Sequence, residues 1–155
     1  MKIMKILTKI LIISSLLFMT FFNTNVKAEN EINIFINRWN VQLTTEEIEI
    51  LSRIVQLECG YDIQKSKCAT VETIFNRIIN PKYPNTLIEV LSQKGQFSTW
   101  KNRNIVEATP TADTYNCVIM VLNGETNVLE IDSLKFNNKP IGKNPIKIGK
   151  QYYGK

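Results

Sequence analysis

The stretch LSRIVQLECG, residues 51–60, puts a carboxylate where the hydrophobic pattern calls for an apolar side chain. Upstream, Thr44 and Glu47 have the spacing of a capping box, which satisfies free backbone amides at a helix start. The positions that follow at intervals of three, four and three residues share one helix face: Ile48, Leu51, Val55 and Glu58. Gly60 is expected to end this helix with left-handed backbone angles.

Glu58 therefore continues an apolar stripe at the C-terminal end of a predicted helix. Partial desolvation and the negative end of the helix dipole both disfavour a carboxylate, so we expect a raised pKa for Glu58. Such a group can donate a proton near neutral pH. The alternative is a structural Glu58 that hydrogen-bonds locally or pairs with an arginine at the helix end, and periodicity alone favours that role.

The sequence contains no histidine. Cys-His and Ser-His-Asp catalysis of the usual kind are excluded, and the commonest zinc ligand is missing. Cys59 as a nucleophile would lack its usual base. If the chain is an enzyme, carboxylate chemistry remains, and neither a metal nor an organic cofactor is implied.

Residues 1–28 have the features of a secretory signal peptide cleaved after Ala28: three early lysines, an apolar run and small residues at the end. The apolar run is 13 residues long, short of the roughly 20 that a membrane-spanning helix needs. We therefore expect a secreted protein, extracellular or associated with the cell wall, without a stable membrane anchor. Residues 29–155 have the length of one domain with its own core.

The charge of the chain is concentrated at its two ends. Of the 19 basic residues, four lie in residues 1–28, which leaves 15 basic residues against 14 acidic ones. This near balance removes the main argument for a nucleic-acid partner, which is an excess of basic residues. Residues 133–155 contain six lysines and no acid, which suits either an anionic wall polymer or an ordinary solvated face.

Three cysteines remain in a chain predicted to be exported, where disulfides persist. With three cysteines, the expected arrangement is one disulfide and one free thiol. We favour Cys68 with Cys117, because each falls within a predicted helix, which leaves Cys59 free. Sequence alone does not fix this connectivity.

Further helices are predicted over residues 66–80, 86–95 and 111–124, with Thr86 and Thr111 as N-caps and Gly95 and Gly124 as stops. The segment GQFSTW, residues 95–100, is too short for a helix and has side chains that suit either a sugar-binding cleft or the core. Residues 32–37 and 146–154 alternate as strands do. The predicted fold class is α+β, mainly helical with a small β element.

Residues 51–100 resemble the core of the SleB and CwlJ spore cortex-lytic enzymes and related cell wall hydrolases. The resemblance rests on four motifs in order: Glu58-Cys59-Gly60, Asn76-Arg77, Tyr83-Pro84-Asn85-Thr86 and Gly95-Gln96-Phe97. It implies a single lysozyme-like domain, with Glu58 as the catalytic residue above a glycan groove and peptidoglycan as substrate.

The resemblance also implies substrate-binding positions, which we assign to Asp62, Asn76, Gln96, Phe97, Ser98, Phe136 and Asn137. Asn76 is expected either to order the site or to cap a helix. Phe136 stands where relatives have a tyrosine, and Gln151 where they often have a histidine.

Cleavage between N-acetylmuramic acid and N-acetylglucosamine needs a proton donor and a nucleophile, and hydrolases usually supply two carboxylates. A lytic transglycosylase needs one, since the sugar's own 6-hydroxyl attacks. No second carboxylate apart from Asp62 is a candidate, so we favour transglycosylation by Glu58. Muramidase hydrolysis stays the nearer alternative; an N-acetylmuramoyl-L-alanine amidase or a non-catalytic wall-binding module is further away.

Overall fold

The computed structural model describes residues 37–101 and 104–155, so the predicted signal peptide and all but the last residue of the predicted N-terminal strand lie outside it. The described residues form five α-helices, one 3-10 helix and three short strands, which confirms the mainly helical α+β prediction. In chain order these are α1 (Thr45–Cys59), α2 (Gln64–Ile79), α3 (Leu87–Ser92), the 3-10 helix (Ser98–Lys101), α4 (Asn104–Glu107), α5 (Ala112–Leu122), β1 (Lys135–Asn137), β2 (Ile146–Ile148) and β3 (Gln151–Gly154).

Helix α1 begins as predicted and places Glu58 one residue before its end. The side chain of Thr44 accepts from the Glu47 amide, and the Glu47 carboxylate accepts from the Thr44 amide at 2.9 Å, so both halves of the capping box form. The reason predicted for Gly60 was wrong, because its φ of −58° and ψ of −26° are right-handed. A Cβ there would overlap the Gln56 carbonyl oxygen, so close approach is what requires glycine.

Helix α2 lies at the centre of the domain. Every residue from position 66 to position 78 is buried, so the helix has no solvent face, although its sequence is only moderately apolar. Helices α1, α3 and α5 pack against it. Its polar side chains therefore need internal partners.

Within the described ranges, no helix is long and apolar enough to cross a membrane.

Glu72, in the middle of α2, is the clearest case of a satisfied internal charge. Its side chain is 0% exposed. It pairs with Arg38 at 2.8 Å, accepts from the Thr126 hydroxyl at 2.7 Å, and accepts from the backbone amides of Val128 and Leu129. These donors fix the loop that follows α5 against the central helix.

The remaining helices agree with the predictions in part. Thr86 caps α3 and Thr111 caps α5, and Gly124 has the positive φ of 71° expected of a helix stop. The segment GQFSTW contains the start of the 3-10 helix, and α4 was not predicted at all.

The C-terminal residues, predicted as one strand, form a hairpin of β2 and β3 that turns at Gly149. The sheet order is β1-β3-β2, and all pairs are antiparallel. Tyr153 of β3 is 0% exposed, and its hydroxyl donates to the Ser66 carbonyl at 2.7 Å. Phe136 of β1, which lies next to β3 in the sheet, is the residue opposite Tyr153 in the strand register. These contacts fasten the sheet to α2 and place Phe136 and Gln151 near the end of α1.

The three cysteines are free thiols and all are buried. Cys68 on α2 and Cys117 on α5, the two residues predicted to pair, lie close enough that each shifts the pKa of the other, and Cys117 Sγ donates to the Gln64 carbonyl oxygen at 3.4 Å. The disulfide itself stays a prediction. Cys59 lies against the Thr70 hydroxyl, and burial raises the pKa of its thiol to about 12, which leaves it unreactive at neutral pH.

Candidate active site

A cleft of about 660 Å³ opens where the end of α1 meets the sheet. It is bounded by α1, the C-terminal half of α2, the loops that follow α2 and α3, and strands β1 and β3. The lining residues are Glu58, Arg77, Tyr83, Gly95, Gln96, Lys135, Phe136, Asn137, Asn138, Ile141 and Gln151. Among these, Glu58 is the one carboxylate, facing two cationic side chains.

Glu58 is partly buried and has the environment of a proton donor. Desolvation raises the pKa of its carboxyl group, and a hydrogen bond from the Thr99 hydroxyl at 2.9 Å opposes that rise without cancelling it. Within the described part of the chain, Glu58 forms no salt bridge, so the arginine pairing of the structural alternative is not seen. The carboxyl group is held in place by a neutral donor and stays available to the cleft.

Arg77 lies beneath the cleft with its side chain almost enclosed. The residue is 4% exposed, and its Nε donates to the Leu134 carbonyl at 2.7 Å. Its guanidinium lies 5.4–5.9 Å from the ring centroids of Tyr83, Phe97 and Phe136. Among the described residues, its Nη1 has no hydrogen-bond partner. Desolvation lowers the pKa of Arg77, as expected for a buried cation without a carboxylate.

Gln151, the first residue of β3, connects the sheet to the end of helix α1. Its Nε2 donates to the Glu58 carbonyl oxygen at 3.3 Å, while its Oε1 is buried and has no partner among the described residues. Gln151 lines the main cleft and also a smaller hollow of about 130 Å³ on the other side of Glu58.

Asp62 lies in the smaller hollow, and both of its oxygens are engaged by backbone. Oδ1 accepts from the Ile63 amide and Oδ2 from the Lys150 amide, each at 2.8 Å. Desolvation acts to raise the pKa of Asp62, but these bonds outweigh it and lower the pKa. A Cβ at Gly149 would overlap the carboxylate, so this turn is built around Asp62. The structure gives Asp62 the position of a turn anchor.

The other predicted site residues divide between cleft and interior. Gln96, Phe136 and Asn137 line the cleft beside Glu58. Phe97 is buried below it, and Ser98 is exposed at the start of the 3-10 helix and does not line it. Asn76 is 0% exposed, and its Nδ2 donates to the carbonyls of Glu130 and Ser133, so the structure does not bring it to the cleft.

Three residues of the site were not assigned from sequence: Thr99, Arg77 and Gln151. Thr99 falls inside the quoted GQFSTW segment, but nothing in its spacing indicates which hydroxyl reaches Glu58. Arg77 belongs to a motif of the resemblance, and Gln151 was noted only as a departure from it. Within the described ranges, no cluster of His, Cys, Asp or Glu has the arrangement of a metal site.

A family model described as Cell Wall Hydrolase matches residues 62–153. The chain belongs to the cell wall hydrolase family. This membership confirms the resemblance stated from the sequence motifs and identifies the chain as an enzyme that degrades the cell wall. The matched range begins four residues after Glu58, so the assignment of Glu58 rests on its geometry.

Two solved structures resemble this cell wall hydrolase in fold. The catalytic domain of the germination-specific lytic transglycosylase SleB from Bacillus anthracis is 21% identical, with a TM-score of 0.60 over 73% of this chain and 97% of that one. The catalytic domain of the Bacillus cereus SleB protein is 21% identical, with a TM-score of 0.61 over 74% and 93%. These likenesses confirm the lysozyme-like fold. Among curated proteins, none matches the sequence.

Proposed function

We propose that this cell wall hydrolase cleaves the glycan strand of peptidoglycan between N-acetylmuramic acid and N-acetylglucosamine, as a lytic transglycosylase with Glu58 as its general acid and base. The observation that carries the proposal is the single carboxylate in the cleft. Glu58 has a raised pKa and one neutral hydrogen-bond partner, Thr99. The solved SleB domain of B. anthracis, similar in fold, is itself described as a lytic transglycosylase.

In the first step, protonated Glu58 gives its proton to the glycosidic oxygen as the bond from that oxygen to the muramic acid C1 breaks. The leaving sugar departs with a neutral hydroxyl, and Glu58 becomes a carboxylate. Because desolvation disfavours the charged carboxylate, Glu58 keeps its proton until the glycosidic oxygen develops negative charge.

In the second step, the Glu58 carboxylate takes the proton of the muramic acid 6-hydroxyl while that oxygen bonds to C1. The product is a 1,6-anhydro sugar, Glu58 is protonated again, and no water is consumed. One residue can serve both steps because its protonation state is restored at the end of each cycle.

Muramidase hydrolysis is the alternative that the site argues against most directly. It requires a second carboxylate to activate water or to attack C1. Asp62 is the nearest candidate in sequence, but its two oxygens accept from the Ile63 and Lys150 amides and it does not line the main cleft.

The decisive experiment is mass spectrometry of the soluble products released from purified peptidoglycan. Anhydro-muropeptides that disappear in Glu58→Gln are the expected result. Reducing sugar ends would replace the proposal with hydrolysis, and freed stem peptides would replace it with an amidase. A wild-type protein that binds the wall and releases nothing would indicate a binding module.

The proposal includes export, with residues 1–28 removed as a signal peptide and residues 29–155 acting outside the cell. Mass measurement of the protein recovered from culture medium tests this step, and the expected mature N-terminus is Glu29. An intact N-terminus on the recovered protein would contradict it.

The proposal also includes contact between anionic wall polymer and the lysines of the C-terminal segment. All six are exposed, and Lys135 lines the cleft: Lys135, Lys139, Lys143, Lys147, Lys150 and Lys155. Their contribution is long-range attraction, so wall binding should weaken as salt is added.

A further inference from the structure

Two buried polar atoms at the cleft have no partner among the described residues, and they are of opposite kind. Arg77 Nη1 is a donor, and Gln151 Oε1 is an acceptor. Both residues line the cleft that contains Glu58. A buried polar atom left unpaired destabilises the folded state, so two of them in one cleft require an explanation.

The orientation of the Gln151 amide follows from its other contact. Nε2 donates to the Glu58 carbonyl oxygen at 3.3 Å. The reversed orientation would set Oε1 against that carbonyl oxygen, where two acceptors repel. Oε1 is therefore the free atom of Gln151, and it can only accept.

The Arg77 guanidinium is restrained as well. Nε is bonded to the Leu134 carbonyl, and aromatic rings surround the planar group. Its donor is thus held in place before any ligand arrives. Tyr83 and Phe136 cover the guanidinium and line the cleft, so these two rings lie between the cleft and Nη1 and must rotate when a ligand binds there.

We propose that Arg77 and Gln151 form a subsite for a secondary amide of the peptidoglycan substrate, whose carbonyl oxygen accepts from Arg77 Nη1 and whose N–H donates to Gln151 Oε1. A secondary amide carries one acceptor and one donor, so it matches the unpaired donor and the unpaired acceptor in kind. A carboxylate would satisfy Arg77 and be repelled by Gln151 Oε1. This inference rests on the proposed glycan function.

The subsite couples recognition to catalysis. Gln151 contacts the ligand through Oε1 and the backbone of Glu58 through Nε2, so an amide bound there fixes the C-terminal end of α1 relative to the sugar. Both polar atoms are already out of water, so the ligand gains the bonds without stripping solvent from the protein.

Peptidoglycan offers two kinds of secondary amide: the acetamido groups of its sugars and the lactoyl-alanine linkage of its stem peptide. Three ligands separate them. Chitotetraose has acetamido groups as its amides, and cellotetraose is the same neutral β-1,4 chain with hydroxyls in their place. Lactoyl-alanine is used as its methyl ester, so that its one secondary amide is the peptide linkage and it carries no carboxylate.

The test is calorimetric titration of each ligand into the Glu58→Gln protein, in which turnover is blocked. We expect chitotetraose to bind at least about tenfold tighter than cellotetraose, since two hydrogen bonds, one of them charge-assisted, distinguish them. Adding Gln151→Met should reduce that ratio to within about twofold by weakening chitotetraose alone. Arg77→Lys should reduce the ratio in the same way. Thermal unfolding checks that the Arg77→Lys protein is folded. If that protein is not folded, the Gln151→Met result alone tests the subsite.

The matched control is Gln93→Met. Gln93 Oε1 is also buried without a partner among the described residues, but Gln93 does not line the cleft, so the ratio should not change. Lactoyl-alanine binding that depends on Gln151 would assign the subsite to the stem-peptide linkage.

The inference is overturned if no amide ligand loses affinity in Gln151→Met, or if none of the three ligands binds. Failure of the glycan function itself would be seen elsewhere, as wild-type protein that releases no anhydro-muropeptides. A protein that releases them yet binds chitotetraose and cellotetraose equally, and does not bind lactoyl-alanine, would retain the function and lose the subsite.

Discussion

Glu72 in the centre of α2 and Glu58 at the end of α1 are both glutamates on helix faces turned inward, yet their surroundings differ. Glu72 is fully buried and accepts from a cation, a hydroxyl and two backbone amides. Glu58 is partly buried, and among the described residues its carboxylate accepts only from the Thr99 hydroxyl. Around Glu72 the charge is fully compensated, whereas around Glu58 desolvation dominates and raises the pKa.

The contrast extends to the neighbours of the two carboxylates. The residues around Glu72 donate hydrogen bonds to its carboxylate, and these bonds hold the loop that follows α5. The cleft beside Glu58 keeps Arg77 Nη1 and Gln151 Oε1 without partners among the described residues. The described residues satisfy the buried charge of Glu72 but leave two polar atoms beside Glu58 unmatched, and this difference supports the proposal that the cleft is the functional site.

Loss of the Glu58 carboxyl group should have a greater effect than any other change predicted here, and it should act on activity. Glu58→Gln removes the proton donor while keeping the shape and the Thr99 bond, so the rate of glycan cleavage should fall by about a thousandfold or more. Product release from peptidoglycan measures it. Glu47→Gln, on the same helix but away from the cleft, should keep wild-type turnover, and an active, folded Glu58→Gln protein would contradict the proposed mechanism.

The second prediction concerns the stability that the Glu72 contacts give to the folded protein. Glu72→Gln leaves Arg38 unpaired and turns an amide NH₂ toward backbone donors, so the free energy of unfolding should fall by about 3 kcal/mol. Chemical denaturation measures it. Glu89→Gln, at the exposed cap of α3, should cost less than about 1 kcal/mol. Equal losses in the two variants would mean that the Glu72 network carries no special weight.

A smaller effect sharpens the description of Glu58. Thr99→Val removes the hydrogen bond that lowers the pKa of Glu58, so that pKa should rise further. The acid then stays protonated to higher pH, and the alkaline limb of the kcat/KM profile should move upward. Thr99→Ser keeps the hydroxyl and should keep the profile. A downward shift in Thr99→Val would show that another group controls the limb.

The smallest effect is the pH dependence of stability. Because folding raises the pKa of Glu58, the protonated form favours the folded state, and this contribution is lost as pH rises through the folded pKa. Glu58→Gln should therefore be more stable than wild type at neutral pH, and the difference should vanish below the ordinary glutamate pKa of about 4.3. Thermal unfolding across that range measures it, and a difference independent of pH would argue against the raised pKa.

Local patterns predicted much of this fold because their causes are local. The capping box at Thr44 and Glu47 placed the start of α1, and the cap at Thr111 placed the start of α5, since each depends on residues a few positions apart. The C-terminal hairpin was predicted as one strand because its turn at Gly149 is fixed by Asp62, more than eighty residues away. The left-handed angle expected at Gly60 was wrong for a different reason, since a local contact with Gln56, four residues earlier, decides that position.

By itself, the sequence determined that Glu58 interrupts an apolar stripe at a helix end, that no histidine is available, and that four motifs in order resemble one family of cell wall hydrolases. The contacts between distant segments came from the fold: Thr99 reaches Glu58, Asp62 and Asn76 bond to backbone groups, and Arg77 and Gln151 line the cleft with atoms that have no partner among the described residues. Whether a polar atom has a partner depends on chain segments far apart in sequence, and no local spacing encodes that distance.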